Sequence, residues 1–337
     1  MLLGRIQLRK EGSIVVRTIP SILFALIVVA PGAAWPQEFP AKLVRIITPY
    51  PTGLAPDVAI RVLADAMGKA WNHPVIVEGR PGANGFIAFE AAKKSSPDGY
   101  TILMSGQPHL AVAPKLFKKV PYDPEQDFAP ISMLYRAQLF IAVAAGAPYQ
   151  SIKDLVAAAR ANPGKLNYSS PYIGSPPHMS AALLAHLTGM DIVHVPYKEA
   201  AAVYNAVGTG DVALALGTIG SLIPTLKAGR VKLLAVGSRT RLSSHPDVPT
   251  VEESGGPAGF EADFWNAITA PRGTPPAVIQ RLNAAVVGAL RQQDVQERFR
   301  RLGFEPTSST PEALAQLIRS ELKVYGDLIS RTGIKAE

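Results

Sequence analysis

Short apolar runs alternate with longer amphipathic patterns along most of this chain. Val44–Thr48, Val75–Glu78 and Tyr100–Met104 have the length and the apolar composition of buried strands. Between them, Asp57–Trp71 and a shorter pattern that ends at Lys94 have apolar residues at helical spacing. Buried-type strands that are separated by helices form parallel sheets with helices on both faces. The pattern therefore predicts an α/β fold.

The rest of the chain repeats this alternation and ends in helices. Further strands are predicted at 140–144, 166–169, 192–195, 212–216, 231–236 and 264–270. The helical tail after Ala270 has no neighbouring strands of its own to cover, so we expect it to pack on the first sheet. The predicted organisation is one lobe from 35–139 plus 261–337, with 140–260 inserted as the second lobe.

Residues 1–34 have the features of a secretory signal peptide. Basic residues precede an apolar stretch of about a dozen residues, 19–30, and small residues follow, with Gly32 and Ala34 placed for cleavage after Ala34. A transmembrane anchor is the alternative, but this run is shorter than the roughly 20 residues that a span needs. We therefore predict an exported, periplasmic protein.

Composition and motif spacing exclude several functional classes. The 337 residues include no cysteine, which rules out disulfides and thiolate metal sites. The formal net charge is +8, but the longest basic runs are pairs such as Lys93-Lys94, so we expect no nucleic-acid partner. The six histidines are never paired at i, i+4, so no metal site is predicted. Gly208–Ala213 matches a dinucleotide fingerprint but follows a helix and opens a strand, so no cofactor is predicted either.

Two loops that follow predicted strands, Thr48–Asp57 and Ser105–Gln107, are candidates for ligand contact. The first contains three prolines, and its Gly53 lets the backbone come close to a ligand. Such a loop leads from the carboxyl end of a strand into a helix N-terminus, where free N–H groups favour anions such as carboxylates. A stiff turn in which Asp57 balances the helix dipole explains the same residues equally well.

A further loop, Tyr168–His178, has the same position after a predicted strand. Ser175 is a typical N-cap, and the two prolines after it suit a first helical turn but remove backbone donors. An anion bound there would depend on the hydroxyls of Ser169 and Ser170 and on the N–H groups of Gly174 and Ser175. Loops from both predicted lobes are thus expected to meet at one cleft.

With these segments taken together, the sequence resembles the substrate-binding proteins of tripartite tricarboxylate transporters, the Bug or TctC-type family. The resemblance covers essentially all of the chain after the leader. It rests on the order and spacing of six segments: Phe39–Pro51, Val77–Gly85, Pro97–Leu103, His194–Lys198, Pro249–Gly255 and Ala270–Pro275.

The resemblance implies a two-lobed periplasmic binding protein fold (type II-like), in which each lobe is a mostly parallel sheet flanked by helices. It also implies a ligand cleft between the lobes, where two loops grip a carboxylate as pincers. Carried over onto this sequence, the ligand-binding positions are Tyr50, Thr52, Gly53, Leu54, Asp57, Ser105, Gln107, Ser169, Ser170, Gly174, Ser175 and Tyr197.

Three positions depart from the family pattern. Leu54 stands where the first loop usually has a second glycine, and Pro56 stands where Ser or Thr is usual. Glu199 replaces the glycine that usually follows Tyr-Lys. The first two changes remove donors and add apolar bulk. A monocarboxylate with an apolar or aromatic body is therefore expected in preference to a highly charged ligand such as citrate.

The predicted function is that of a solute-binding receptor and not of an enzyme. It binds a small organic anion and delivers it to the membrane permease subunits of a tripartite tricarboxylate transporter, and we expect it to be a monomer without cofactor or metal. Two alternatives remain at this point. One is a sensory module for a membrane signalling partner, and the other is an exported hydrolase that uses a serine and His178.

Overall fold

The computed structural model describes residues 39–197 and 200–335, so the predicted leader and Glu199 lie outside the described residues. The strands are β1 Val44–Thr48, β2 Val75–Gly79, β3 Thr101–Gly106, β4 Phe128–Gln138, β5 Phe140–Ala144, β6 Leu166–Ser170, β7 Ile192–Pro196, β8 Leu214–Gly217, β9 Val231–Val236, β10 Asp263–Pro271 and β11 Glu305–Pro306. The helices are α1 Ala55–Trp71, α2 Phe86–Lys93, α3 Ala113–Leu116, α4 Ile152–Ala161, α5 Pro176–Thr188, α6 Ala200–Thr209, α7 Ile219–Lys227, α8 Pro276–Leu290, α9 Gln293–Arg301 and α10 Pro311–Thr332.

The first sheet combines strands from both ends of the described chain. Its order is β11-β4-β10-β3-β1-β2. β1 lies between β2 and β3 and is parallel to both, as the alternating pattern predicted. β10 lies between β3 and β4 and is antiparallel to both. β10 follows the strands of the second sheet in the chain, and because it is antiparallel to its neighbours it needs no crossover helix.

The second sheet has the order β7-β6-β8-β5-β9. β6 is parallel to β7 and β8, whereas β5 is antiparallel to β8 and β9. Most strands of each sheet therefore run in one direction, as predicted, and the exceptions are β5, β10 and β11.

Apolar side chains cover both faces of each sheet. On the first sheet, Leu63 of α1 and Leu282 of α8 are buried against one face, and Phe89 of α2 and Leu314 of α10 against the other. Two further apolar clusters cover the second sheet in the same way, one with Leu155 of α4 and the other with Val203 of α6. This double coverage explains why the strands are apolar along their whole length. Within the described residues, no helix has the length and hydropathy to cross a bilayer.

The chain passes between the two sheets twice, after β4 and before β10, and the backbone at both crossings is hydrogen-bonded to Gly237, which follows β9. Leu139 is the single residue between β4 and β5, and its N–H donates to the Ala262 carbonyl at 2.8 Å. The Gly237 N–H donates to the Leu139 carbonyl, and the Ala262 N–H donates to the Gly237 carbonyl, both at 2.8 Å. The C-terminal helix α10 adds a link, since its Leu328 packs with Met179 of α5.

The sequence did not predict β4, the helical segment 108–116 or the two-residue strand β11. β4 is the longest strand, with 11 residues, but Pro130 near its start argues against a strand in a sequence pattern. Residues Pro108–Val112 form a π-helical turn that continues into α3, and all five of these side chains are buried. The π-helical turn is too short to show a helical repeat of apolar residues.

Candidate functional site

The loop between β1 and α1 is held from inside the first sheet by Tyr50. The Tyr50 hydroxyl donates to Asn266 Oδ1 at 2.9 Å, and Asn266 Nδ2 donates to the Tyr135 hydroxyl at 2.8 Å. Asn266 is fully buried on β10. Burial raises the pKa of the Tyr50 phenol well above its ordinary value, so the group is a neutral hydroxyl. The sequence analysis did not identify Asn266, because it lies more than two hundred residues from Tyr50.

Asp57 closes this loop and does not point its charge into open space. Its Oδ2 accepts from the Gly53 N–H at 3.0 Å and from Arg61 Nε at 2.9 Å, and its Oδ1 accepts from Arg61 Nη2 at 3.1 Å. Gly53 has a φ of +87°, a conformation that favours glycine. Thr52 is exposed at the surface of the loop. Both oxygens of Asp57 are thus hydrogen-bonded, to the loop and to α1, in keeping with the interpretation of this segment as a stiff turn.

The loop between β6 and α5 is shaped by its own hydroxyl groups. Ser169 Oγ donates to the Val203 carbonyl at 3.0 Å, and Ser170 Oγ donates to the Tyr172 carbonyl at 3.1 Å. The Gly174 N–H donates to His178 Nδ1 at 3.0 Å. Ser175 caps α5 as predicted, because its Oγ accepts from the His178 N–H.

Two stacked imidazoles lie beneath this second loop. The rings of His178 and His194 are 4.0 Å apart between centroids, and His194 Nε2 is 2.7 Å from Ser170 Oγ. Burial lowers the pKa of His178 to about 3, with a further contribution from His194, and burial lowers the pKa of His194 to about 4. Both rings are therefore neutral near pH 7, and their packing supports the loop.

Of the remaining predicted positions, Ser105 and Gln107 are buried and Tyr197 is partly exposed. Ser105 is buried between β3 and β10, where it receives a hydrogen bond from Thr269 Oγ1 at 3.4 Å. Gln107 is buried beside Glu321, a carboxyl whose pKa burial raises to about 7. The Tyr197 N–H donates to the Ser170 carbonyl at 2.9 Å, which ties the end of β7 to the second loop.

A cavity of about 190 Å³ lies between the two sheets. Three of the predicted residues line it, namely Tyr50, Leu54 and Ser175. The first turns of α1 and α5 also reach it, through Pro56 and Pro176. The structure therefore brings two of the three predicted loops to one cavity, whereas Ser105 and Gln107 of the third loop are not among the lining residues.

Several wall residues were not identified from the sequence: Tyr172, Tyr204, Thr218, Ser221, Phe264 and Phe304. Thr218 had a usable signal, because it follows β8 and caps α7 with its Oγ1, which accepts from the Ser221 N–H at 3.3 Å. Phe264 and Phe304 had none, since only the folded chain brings them to the cavity. The start of α7 is thus a third helix N-terminus at the cavity wall.

The cavity wall carries no formal charge. Among the described residues that line it there is no lysine, arginine, histidine, aspartate or glutamate. Nor do the described residues contain a group of three or more histidine or acidic side chains that would hold a metal ion. The arrangement combines three helix N-termini, which favour an anion, with a largely apolar and aromatic wall.

Comparison with known proteins identifies the family to which this site belongs. Residues 59–334 match the tripartite tricarboxylate transporter family receptor. The chain belongs to this family. Among the relatives of this receptor is Protein BugT from Bordetella pertussis (strain Tohama I), which is 33% identical over 310 residues that cover 91% of this chain and 94% of BugT.

Three solved structures of similar proteins have the same fold as this receptor. R. palustris Rpa4515 with adipate has a TM-score of 0.79 at 29% identity and covers 88% of this chain and 99% of its own. MatC (Rpa3494) from Rhodopseudomonas palustris with bound malate has a TM-score of 0.74 at 30% identity, with coverage of 86% and 100%. The periplasmic binding protein BugD has a TM-score of 0.75 at 29% identity, with coverage of 89% and 100%.

The family and these structures establish the class of the protein. The receptor has the two-lobed α/β fold of periplasmic binding proteins, with one sheet in each lobe. It is a member of a family of substrate receptors and not of enzymes, so the hydrolase alternative is wrong. The Nδ1 atom of His178, the histidine named in that alternative, accepts from the Gly174 N–H.

Proposed function

We propose that this receptor captures a small organic carboxylate in the cavity between its lobes and delivers it to the membrane subunits of a tripartite tricarboxylate transporter. One observation carries the proposal: α1, α5 and α7 all begin at the wall of a single cavity that both sheets enclose. Helix N-termini favour anions, and three of them together favour a carboxylate over a neutral ligand. The adipate and malate bound by two similar receptors are carboxylates as well.

In this proposal the predicted site residues divide into two groups. Tyr50, Leu54 and Ser175 touch the ligand, because their side chains line the cavity. The others hold the loops that carry these contacts: Thr52, Gly53, Asp57, Ser169, Ser170, Gly174 and Tyr197 in the two pincer loops, and Ser105 and Gln107 in the adjoining part of the first lobe.

Capture requires the lobes to close around the ligand. We propose that 35–139 plus 261–337 form one lobe and 140–260 the other, and the membership of the two sheets supports these boundaries. The two crossings at Leu139 and Ala262, with Gly237 hydrogen-bonded between them, then act as the hinge. Closure buries the ligand and presents a closed shape to the membrane subunits.

The proposal also includes the route by which the protein reaches its partner. Residues 1–34 direct export to the periplasm and are cleaved, and the mature receptor acts there as a monomer. BugD, a similar protein, is a periplasmic binding protein. N-terminal sequencing of protein purified from the periplasm tests the leader, with residue 35 expected as the new N-terminus.

Thermal-shift screening of the purified receptor against small carboxylic acids tests the function. A ligand that binds only the folded state raises the melting temperature. At a ligand concentration of a hundred times the Kd, it adds about 2.7 kcal/mol to the free energy of unfolding. Amidation of the carboxylate should weaken binding by about 2 kcal/mol, because charge-assisted hydrogen bonds are lost. Equal affinity for an acid and its amide would contradict the carboxylate receptor.

A further inference from the structure

The cavity wall is built mainly from rings. Aromatic side chains contribute from both lobes, with Phe264 and Phe304 on the first and Tyr172 and Tyr204 on the second, and prolines fill the spaces between them. We propose that the ligand is a monocarboxylate with a single aromatic ring as its body, and that the cavity discriminates against dicarboxylates of the same length. This inference rests on the carboxylate-receptor function proposed above.

The size of the cavity fits one ring with a short acidic group. Its volume is about 190 Å³. An engineered apolar cavity of about 150 Å³ is large enough to bind benzene. The additional space corresponds to a carboxylate and one small substituent.

The rigidity of the wall favours a flat ligand over a flexible chain. Phe304 stacks on Tyr135 with ring centroids 4.0 Å apart and planes 4° from parallel. Tyr135 in turn accepts from Asn266, and Asn266 accepts from Tyr50. These contacts fix two ring-bearing wall residues, Tyr50 and Phe304, through one buried amide. A rigid aryl acid loses less conformational freedom on binding to such a surface than an aliphatic acid of equal size.

The polar side chains of the wall are hydroxyls, and none of the described lining side chains is charged. Thr218 Oγ1 is 2.9 Å from Ser221 Oγ, and Tyr204 is hydrogen-bonded to Ser221, so these hydroxyls form one polar group on the second lobe. The hydroxyls of Tyr50, Tyr172 and Ser175 also line the wall, but the Tyr50 hydroxyl already donates to Asn266. Pro56 and Pro176 add apolar rings and have no backbone N–H to donate. No cationic side chain among the described residues lines the cavity. A second carboxylate would therefore be buried without a counter-charge, which is unfavourable.

Leu54 contributes apolar surface from the first loop. It precedes α1 in an extended conformation and is 46% exposed, so its side chain is not part of the protein core. Leu43 provides a matched control, because it is a leucine of similar exposure, 42%, at the opposite end of β1 and outside the cavity lining. The two residues separate loss of a cavity contact from loss of an exposed leucine.

Isothermal titration of the purified full receptor with matched acids tests the inference. 4-Methylbenzoate and terephthalate share one ring and differ only in a methyl or a second carboxylate. 4-Methylbenzamide removes the charge, hexanoate replaces the ring, and adipate and malate complete the panel. We expect 4-methylbenzoate to bind at least tenfold more tightly than terephthalate and hexanoate, and at least thirtyfold more tightly than the amide.

The outcomes separate the two proposals. If terephthalate, hexanoate, adipate or malate binds as tightly as 4-methylbenzoate or more tightly, the aromatic monocarboxylate assignment is overturned and the carboxylate receptor stands. If no acid in the panel binds, or the amide binds as well as its acid, the receptor proposal fails too. Leu54→Gly should weaken 4-methylbenzoate about tenfold and narrow its advantage over terephthalate, while Leu43→Gly leaves both affinities unchanged. An unchanged preference in Leu54→Gly would contradict the contact.

Discussion

Asp57 joins the first pincer loop to α1 through both oxygens of one carboxylate. It accepts from the Gly53 N–H and from two nitrogens of Arg61, and its side chain is only 1% exposed. A second i, i+4 pair on the same helix, Asp65 with Lys69, has a similar length of 2.8 Å, but both of its side chains are exposed. The two pairs share a helix and a spacing and differ in burial. They therefore separate a carboxylate that holds a loop from one that decorates a surface.

Asp57→Asn should destabilise the protein and loosen the ligand loop. We expect a loss of about 2 kcal/mol in the free energy of unfolding, because a buried acceptor of charged hydrogen bonds is removed while Arg61 stays in place. Asp65→Asn, the control, should cost less than about 1 kcal/mol. Urea denaturation measures both. Equal losses in the two variants would show that Asp57 contributes no more than a surface ion pair.

At the scale of elements, α7 and α10 begin with the same cap in different surroundings. Thr218 accepts from the Ser221 N–H at the cavity wall, and Thr310 accepts from the Ala313 N–H at 3.1 Å, outside the cavity lining. Threonine and valine have nearly the same shape, so Thr→Val removes the hydroxyl at each cap with little change in packing. Any difference between the two variants in ligand affinity then arises from the cavity.

Thr218→Val and Thr310→Val should each reduce stability by about 1 kcal/mol, the usual cost of an N-cap. Only Thr218→Val should weaken ligand binding. We expect the Kd to rise about tenfold, because the substitution removes one of the hydroxyls that would bind the carboxylate. Thermal unfolding measures the first effect and calorimetric titration the second. A Thr218→Val variant that keeps wild-type affinity would exclude this hydroxyl from the site.

The stack of His178 and His194 predicts a stability that depends on pH. Both folded-state pKa values, about 3 and about 4, lie below the ordinary imidazole value of about 6.5. The unfolded chain therefore binds more protons between pH 6.5 and 4, so stability is full above pH 6.5 and falls as the pH decreases. His194→Gln should make this loss shallower by about 1 kcal/mol or more between pH 7 and 4. His186→Gln, on the exposed side of α5, is the control and should show the same dependence of unfolding free energy on pH as the wild type. If His194→Gln also matched the wild type, the histidine stack would not be the cause of the pH dependence.

The alternating apolar runs carried the prediction of β1 to β3 and of the helices between them, because buried parallel strands need apolar residues on both faces. β4 was not predicted, because a proline, Pro130, argues against a strand. In the folded protein, β4 is stabilised by its long antiparallel pairing with β10. In the site, Ser175 was predicted from its capping position, since capping is a local property. Phe304 was not predicted, because its place at the cavity depends on a long-range stack with Tyr135.

At the scale of the whole molecule, the chain crossings between the lobes are held by backbone hydrogen bonds around Gly237. The Gly237 N–H and carbonyl are both engaged, with Leu139 and Ala262 respectively. A Cβ added at Gly237 would collide with the Ala262 Cβ and lie 2.8 Å from the Ala262 backbone nitrogen and oxygen. The crossing segments are therefore as close as a residue without a side chain allows. Gly146, in a turn at the end of β5, has nothing within 4 Å of an added Cβ and provides the contrast.

Gly237→Ala should force the crossing segments apart and change how the lobes meet. We expect a loss of about 1–3 kcal/mol in the free energy of unfolding, the usual cost of overpacking a closely packed site. Because Gly237 is outside the cavity lining, any loss of ligand affinity in this variant would come through lobe geometry, and small-angle scattering with and without ligand would reveal a reduced closure. Gly146→Ala should leave stability within about 0.5 kcal/mol of wild type. If lobe closure were unchanged in Gly237→Ala, the hinge would not lie at Leu139, Gly237 and Ala262.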